Sequence, residues 1–179
     1  MSHSQWEKKK YKKAASEGKT SKLYTKLVRV ITMEAKKSGG NRESPGLKSA
    51  IQKARDVDMP NDNIERAIKK ATEPGNQFER ITYEAYGPGG VAMVIEVLTT
   101  NHNKASQEVK FILKEHSGAL AGIGSVTWGF KKDNLVWKPT MTIPLSKDEV
   151  IALEKLIDAL EENDEVQDVF TNQEQLICA

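Results

Sequence analysis

The side chains with the widest chemical reach in this sequence are three histidines and one cysteine, and none has suitable company. His3, His102 and His116 lack partners at ligand spacing, so they form no zinc set. His116 falls near an expected helix end, where a cation suits the negative pole of the helix dipole. Cys178 has no second cysteine to pair with, which fits a reducing cytosol. Gly87-Pro88-Gly89-Gly90 lacks the Lys-Ser/Thr tail of a phosphate loop and opens a strand, so it reads as a hairpin turn. Gly118 to Gly124 follows a helix, the wrong order for a dinucleotide fingerprint, and reads as a flexible connection. The acidic run Glu161, Glu162, Asp164 and Glu165 reads as a solvated turn. With no triad, dyad or metal set, neither catalysis, a cofactor nor a small-molecule substrate is expected.

Charge is the more informative feature. Residues 1–72 hold 18 Lys+Arg against 8 Asp+Glu, while residues 73–179 hold 9 against 17, so the net charge of +2 hides a split. A basic segment joined to an acidic remainder predicts a polyanion partner for the first part alone, and nucleic acid is the commonest such partner. Lys8, Lys9, Lys10, Lys12 and Lys13 are interleaved with Trp6 and Tyr11, so lysines are expected to hold phosphates while the aromatics stack or pack. Lys19, Lys22, Lys26 and Arg29 extend this charge along the first helix, and Lys69 and Lys70 add to it from the third. Few arginines are available for base readout, so the physics favours phosphate backbone or structured RNA. No apolar run approaches a membrane span, and the lysine-rich start is not a secretory signal, so a cytoplasmic protein is expected.

These residues need elements to carry them. Residues 1–20 show little helical period and read as a basic arm. Leu23, Leu27, Val30, Ile31 and Ala35 form one apolar stripe, stopped by Gly39-Gly40. Leu47, Ala50, Ile51, Ala54 and Val57 form a second, between Ser44-Pro45 and Met59-Pro60. A third, Ile64, Ala67, Ile68 and Ala71, is expected to start at an Asp62 N-cap with Glu65 at the capping-box position. Three short one-faced helices predict a small three-helix bundle. After Gly75 the period becomes two. Ile81, Tyr83 and Ala85 alternate, and Val91 to Leu98 is a buried strand. A helix over 103–116, a strand from Ser125 to Phe130, a turn at Lys131-Lys132-Asp133-Asn134, and a strand from Leu135 to Trp137 follow. Ser146 with Glu149 caps a helix, and Val166 to Phe170 closes as a strand. The order predicts an α+β chain: a helical domain over 1–75, then a mostly antiparallel ferredoxin-like α/β sandwich over 76–179.

At this point the residues resemble a known family. His3-Ser4-x-Trp6, Lys12-Lys13-Ala14-Ala15, Gly18-Lys19, Tyr24-Thr25-Lys26-Leu27 and Gly39-Gly40 look like the start of the YebC family. Ala50-Ile51-x-Lys53-Ala54, Met59-Pro60-x-Asp62-Asn63-Ile64 and Arg66-Ala67-Ile68-Lys69-Lys70 continue the match. So do Tyr83-Glu84-x-Tyr86-Gly87-Pro88-Gly89-Gly90-Val91-Ala92, Asn101-x-Asn103, Gly124-Ser125-Val126 and Val166-Gln167-Asp168-Val169-Phe170-Thr171-Asn172. The resemblance implies gene-expression work without catalysis. Members are described as DNA-binding transcriptional regulators, and others act on the ribosome to relieve stalls at sequences such as proline runs. It also implies a helical domain, an α/β domain, and a third domain inserted within the latter. Here only Lys131 to Val136 separate Phe130 from Trp137, so the insertion is expected to be absent. Asp58 stands where relatives often have Asn, and His102-Asn103-Lys104 where they are often Arg-rich. The sequence thus leads to a nucleic-acid-binding regulator acting on the ribosome and its rRNA, with a DNA-binding transcriptional regulator as the alternative.

Overall fold

The computed structural model describes residues 17–71, 77–133 and 136–174. The chain divides into two compact units, one ending at Glu79 and one beginning at Arg80. The Trp6–Lys13 arm and Cys178 lie outside the described residues.

The first unit holds α1 (Glu17–Lys37), α2 (Pro45–Arg55) and α3 (Asn61–Lys70). Their stripes meet in one core: Leu27, Ile31 and Ala35 of α1, Leu47, Ala50, Ile51 and Ala54 of α2, and Ile64 and Ala67 of α3. Each fully buried Leu or Ile there contributes about 1.5–3 kcal/mol. Gly39 and Gly40 end α1 at φ +59° and +83°, and the Gly40 N–H returns 2.8 Å to the Ala35 carbonyl. Buried Thr32 adds a polar tie, its hydroxyl 2.8 Å from the Val28 carbonyl and 3.1 Å from that of Ala67 after α3 has turned back. One expectation fails here. Asp62 is not the N-cap, because α3 begins at Asn61 behind Pro60, with no side-chain cap bond. Proline presets the entry at φ −55°. Glu65 pairs with Arg42 instead of closing a capping box.

β1 (Glu79–Tyr86) leads from the boundary into the second unit, which continues with β2 (Ala92–Thr99), α4 (His102–Glu115), β3 (Ala119–Leu120), β4 (Phe130–Asp133), β5 (Val136–Pro139), α5 (Lys147–Glu162) and β6 (Val166–Thr171). Four strands form one sheet in the order β3-β1-β2-β6, with β3 antiparallel to β1 and β6 antiparallel to β2. β2 is central and almost wholly buried. Alternation along it sends Met93, Ile95 and Val97 into a core with Val109 and Leu113 of α4 and Leu153, Leu156 and Leu160 of α5. Val94 points the other way, against Val126, Phe130 and Phe170. Helices therefore cover one face, and the β4–β5 hairpin with its leading loop covers the other. The turn between β1 and β2 needs glycine: Gly89 sits at φ +69°, and a Cβ there would lie 2.5 Å from Leu145.

The chain is α+β with antiparallel pairing, as expected, but the ferredoxin-like detail departs from the observed topology. That arrangement needs both strands of the second hairpin in the main sheet. Instead β4 and β5 pair only with each other, in a separate two-stranded sheet. The expected Ser125–Phe130 strand is a 3-10 turn, Thr127–Gly129, leading into β4. The physical reason is Glu84. Its carboxylate accepts the backbone N–H groups of Gly124 (2.6 Å), Val126 (2.6 Å) and Thr127 (2.8 Å), taking the donors a neighbouring strand would need. The Gly118–Gly124 segment, expected as a loose connection, carries β3 and ends in this anchorage.

Candidate nucleic-acid interface

The helical unit presents basic side chains on a frame fixed by its core. Residues 17–71 carry 13 Lys+Arg against 7 Asp+Glu. Lys36 and Lys37 end α1, Lys53 and Arg55 end α2, and Lys69 and Lys70 end α3. Cations at three helix C-termini suit the helix dipoles, at about 0.3–1 kcal/mol each, so structure alone accounts for part of this charge. Surface ion pairs engage some of it: Lys37 with Glu34 at 3.1 Å, Lys48 with Glu43 at 3.3 Å, and Arg42 with Glu65. Such exposed pairs are worth little and yield readily to phosphate.

The expected contact residues separate into groups. Trp6, Lys8, Lys9, Lys10, Tyr11, Lys12 and Lys13 lie outside the described residues, and Lys19 is placed only as part of the α1 backbone. Lys22 and Arg29 are half-buried, and the Arg29 guanidinium sits 5.7 Å from the centre of the Phe78 ring. Lys69 and Lys70 are exposed. Lys26 does not join them: it is 9% exposed. α1 buries two stripes, Leu27-Ile31-Ala35 and the flanking Lys26, Val30 and Met33, and Lys26 falls on the second. Sequence reasoning missed Lys36, Lys37, Arg55 and Arg66, all exposed; a helical wheel places each off the apolar stripe. A hollow of about 150 Å³ lined by Met33, Lys36, Lys37 and Phe78 is below the size of a small-molecule pocket. Among the described residues no three His, Cys, Asp or Glu side chains are placed to hold a metal ion, and no helix is long and apolar enough to cross a membrane.

Two buried carboxylates shape the second unit. Burial pushes the Glu84 carboxyl up, but the three N–H groups it accepts outweigh this and hold it below its ordinary value. Glu96, on β2, is 1% exposed and accepts from Thr82 Oγ1 at 2.9 Å and Trp137 Nε1 at 2.7 Å. Arg80 and Lys132 each stand 3.6 Å away, and Lys132 also lies 4.6 Å from the centre of the Trp137 ring. This charge is buried with partners, and it fastens β4 and β5 to the sheet. At the start of α4, Lys104 lies 3.5 Å from both Glu165 and Glu108, and these carboxylates, Glu165 first, raise its pKa.

Comparison with known proteins bears on the whole chain. Residues 4–74 match the model of the TACO1/YebC protein N-terminal domain, and residues 78–136 and 130–173 match that of the TACO1/YebC second and third domain. A probable transcriptional regulatory protein of Petrotoga mobilis is 40% identical over 178 residues, covering 97% of this chain and 71% of that protein. Another of that description, from Fervidobacterium nodosum, is 34% identical over 232 residues, covering 95% and 92%. The crystal structure of a conserved hypothetical protein from Aquifex aeolicus superposes with a TM-score of 0.82 at 28% identity, covering 91% of this chain and 94% of that one.

Proposed function

The chain belongs to the TACO1/YebC family, and from that premise we propose that it is a non-catalytic regulator of gene expression that works in the cytoplasm on the ribosome, docking to rRNA through its basic N-terminal half. The observation that carries this reading is the lysine-dominated charge of the helical unit, which suits phosphate more than base edges. In this reading residues 1–75 are a small helical bundle with a basic arm, and Lys8, Lys9, Lys10, Lys12, Lys13, Lys19 and Lys22 hold phosphates beside Trp6 and Tyr11. Residues 76–179 position that arm. The third domain of longer relatives is absent between Phe130 and Trp137; the two-part match of the second-and-third-domain model, meeting at 130–136, supports this. A DNA-binding transcriptional role is the second reading, favoured by the names of the relatives.

Sedimentation of the tagged protein from cell lysate, with and without nuclease, separates the two. Co-migration with ribosomal particles supports the translational reading. Protein confined to the top of the gradient, together with tight binding to a promoter fragment in competitor DNA, replaces it with the transcriptional one.

A further inference from the structure

The α/β unit is acidic overall, yet one corner of it is not. Between Thr127 and Ile143 the chain has Lys131, Lys132 and Lys138 against Asp133 alone. The same corner shows the apolar side chains Ile123, Trp128 and Met141 to solvent, with Trp128 68% exposed. Scattered apolar side chains on a surface need no explanation. This set is different because the backbone beneath it is tightly held. Glu84 fixes three amides of the loop. The Ser125 carbonyl accepts both the Tyr86 hydroxyl at 3.0 Å and the Trp128 indole N–H at 2.8 Å. Thr140 donates to the Gly129 carbonyl through its N–H and its hydroxyl, both at 2.9 Å, locking the entry to the hairpin.

Trp128 is thus an indole whose polar edge is already satisfied and whose ring is left in water. Such a ring has no hydrogen bond to offer a ligand; it has a π face. Three residues along the chain, Lys131 is directly opposed to Lys138 across β4 and β5. Phe130 and Lys132 face the sheet, so alternation turns Lys131 and its partner Lys138 to solvent. Opposed like charges oppose pairing, and Asp133, 2.8 Å from Lys138, offsets only one of them. An anion between the two lysines relieves the rest. A bare stacking face and a lysine pair on one short stretch of chain match the base and phosphate of a single strand.

We propose that Trp128, with Lys131 and Lys138, is a second RNA contact of this chain, stacking an unpaired base while the two lysines hold its flanking phosphate. It rests on the reading above that the chain binds RNA, and adds that the α/β unit grips single-stranded RNA as well as positioning the arm. Charge decides for nucleic acid over a protein partner at this corner, since the lysine pair asks for an anion.

The test uses the full chain, a labelled single-stranded oligouridylate and a blunt RNA duplex, titrated across a salt series. Trp128→Ala should weaken oligouridylate binding by about fivefold to a hundredfold, the range that loss of one stacked base gives, and leave duplex binding unchanged. Trp128→Phe keeps a ring without the N–H and should restore most of the affinity. Lys131→Ala with Lys138→Ala should lower the salt slope by about 0.7 per lost phosphate contact. A variant with Lys8, Lys9 and Lys10 changed to Ala separates the two readings. If it loses RNA affinity while Trp128→Ala does not, the corner is no RNA contact and the arm reading stands. If the unaltered chain binds neither RNA, both fall together. Circular dichroism melts of each variant exclude unfolding as the cause of any loss.

Discussion

Replacing Glu84 with Gln tests whether one buried carboxylate shapes the loop that leads into the hairpin. The substitution keeps size and shape but replaces one oxygen with an NH2 group. In the native arrangement one oxygen accepts the Gly124 N–H, and the other accepts those of Val126 and Thr127. The best orientation of Gln keeps its carbonyl on the Val126–Thr127 side and turns a donor towards the Gly124 donor. One bond to a charged acceptor is lost, and two become neutral. At about 1.5–3 kcal/mol for a charged bond against about 1 for a neutral one, the α/β unit should lose roughly 2.5–7 kcal/mol. Urea unfolding followed by tryptophan emission reads this as a lower midpoint. Hydrogen exchange should show lost protection at Gly124 first. pH supplies a second readout. The folded carboxyl titrates below its ordinary value of 4.5, so its contribution is complete above that value and disappears as pH falls through the folded pKa. The native protein should therefore weaken below about pH 5 more steeply than the Gln variant. An unchanged midpoint with the three amides still protected would refute the argument, because the loop would then hold its shape without the carboxylate.

Two further changes probe the frame. Glu96→Gln should loosen the β4–β5 hairpin at a cost of about 2–4 kcal/mol, because Arg80 and Lys132 lose their shared anion while both stay partly solvated; emission of Trp137, whose indole N–H it accepts, should shift with it. Asp58 holds φ +57° in the turn between α2 and α3, where the Tyr24 hydroxyl reaches its carbonyl at 3.0 Å. Asp58→Val should destabilise the helical unit by about 1–2 kcal/mol in a thermal melt, whereas Asp58→Asn should be neutral, since short polar side chains tolerate the left-handed region.

What the sequence showed and what it hid follow from the range of the interactions. The stripes of α1, α2 and α3 were legible because helical period is local, and each stripe meets its neighbours in the core. The Ser146–Glu149 capping box was legible for the same reason: both partners lie within one turn, and both of its bonds are present. The Thr127–Gly129 turn and the separate hairpin were not legible. Both depend on carboxylates some forty residues away, Glu84 on the amides of residues 124–127 and Glu96 on Trp137. Nothing in the local pattern of Ser125 to Phe130 distinguishes a strand from a segment whose donors are claimed by Glu84. Lys26 illustrates the opposite error. The sequence reads it as one more charge along a one-faced helix, but the buried surface of α1 extends past the Leu27-Ile31-Ala35 stripe to take in Lys26. The other missed cations were available from the helical wheel and needed only to be counted.

Glu84 and Glu96 have one further consequence when taken together. They lie on adjacent strands, β1 and β2, and both serve the side of the sheet away from the helices. A face of this kind is ordinarily closed by apolar side chains, and Val94, Val126, Phe130 and Phe170 do so in part. Packing of that sort fixes distance but tolerates sliding. Directed bonds do not: five donors on two carboxylates fix where the loop and the hairpin lie. The unit has therefore placed charge in its interior where apolar contact alone would have closed the layer. Buried charge that keeps its partners holds what lies above it to one position, at the cost of desolvation. Above it stand Trp128, Lys131 and Lys138, which is the reason to look for function at that corner as well as along the basic helices.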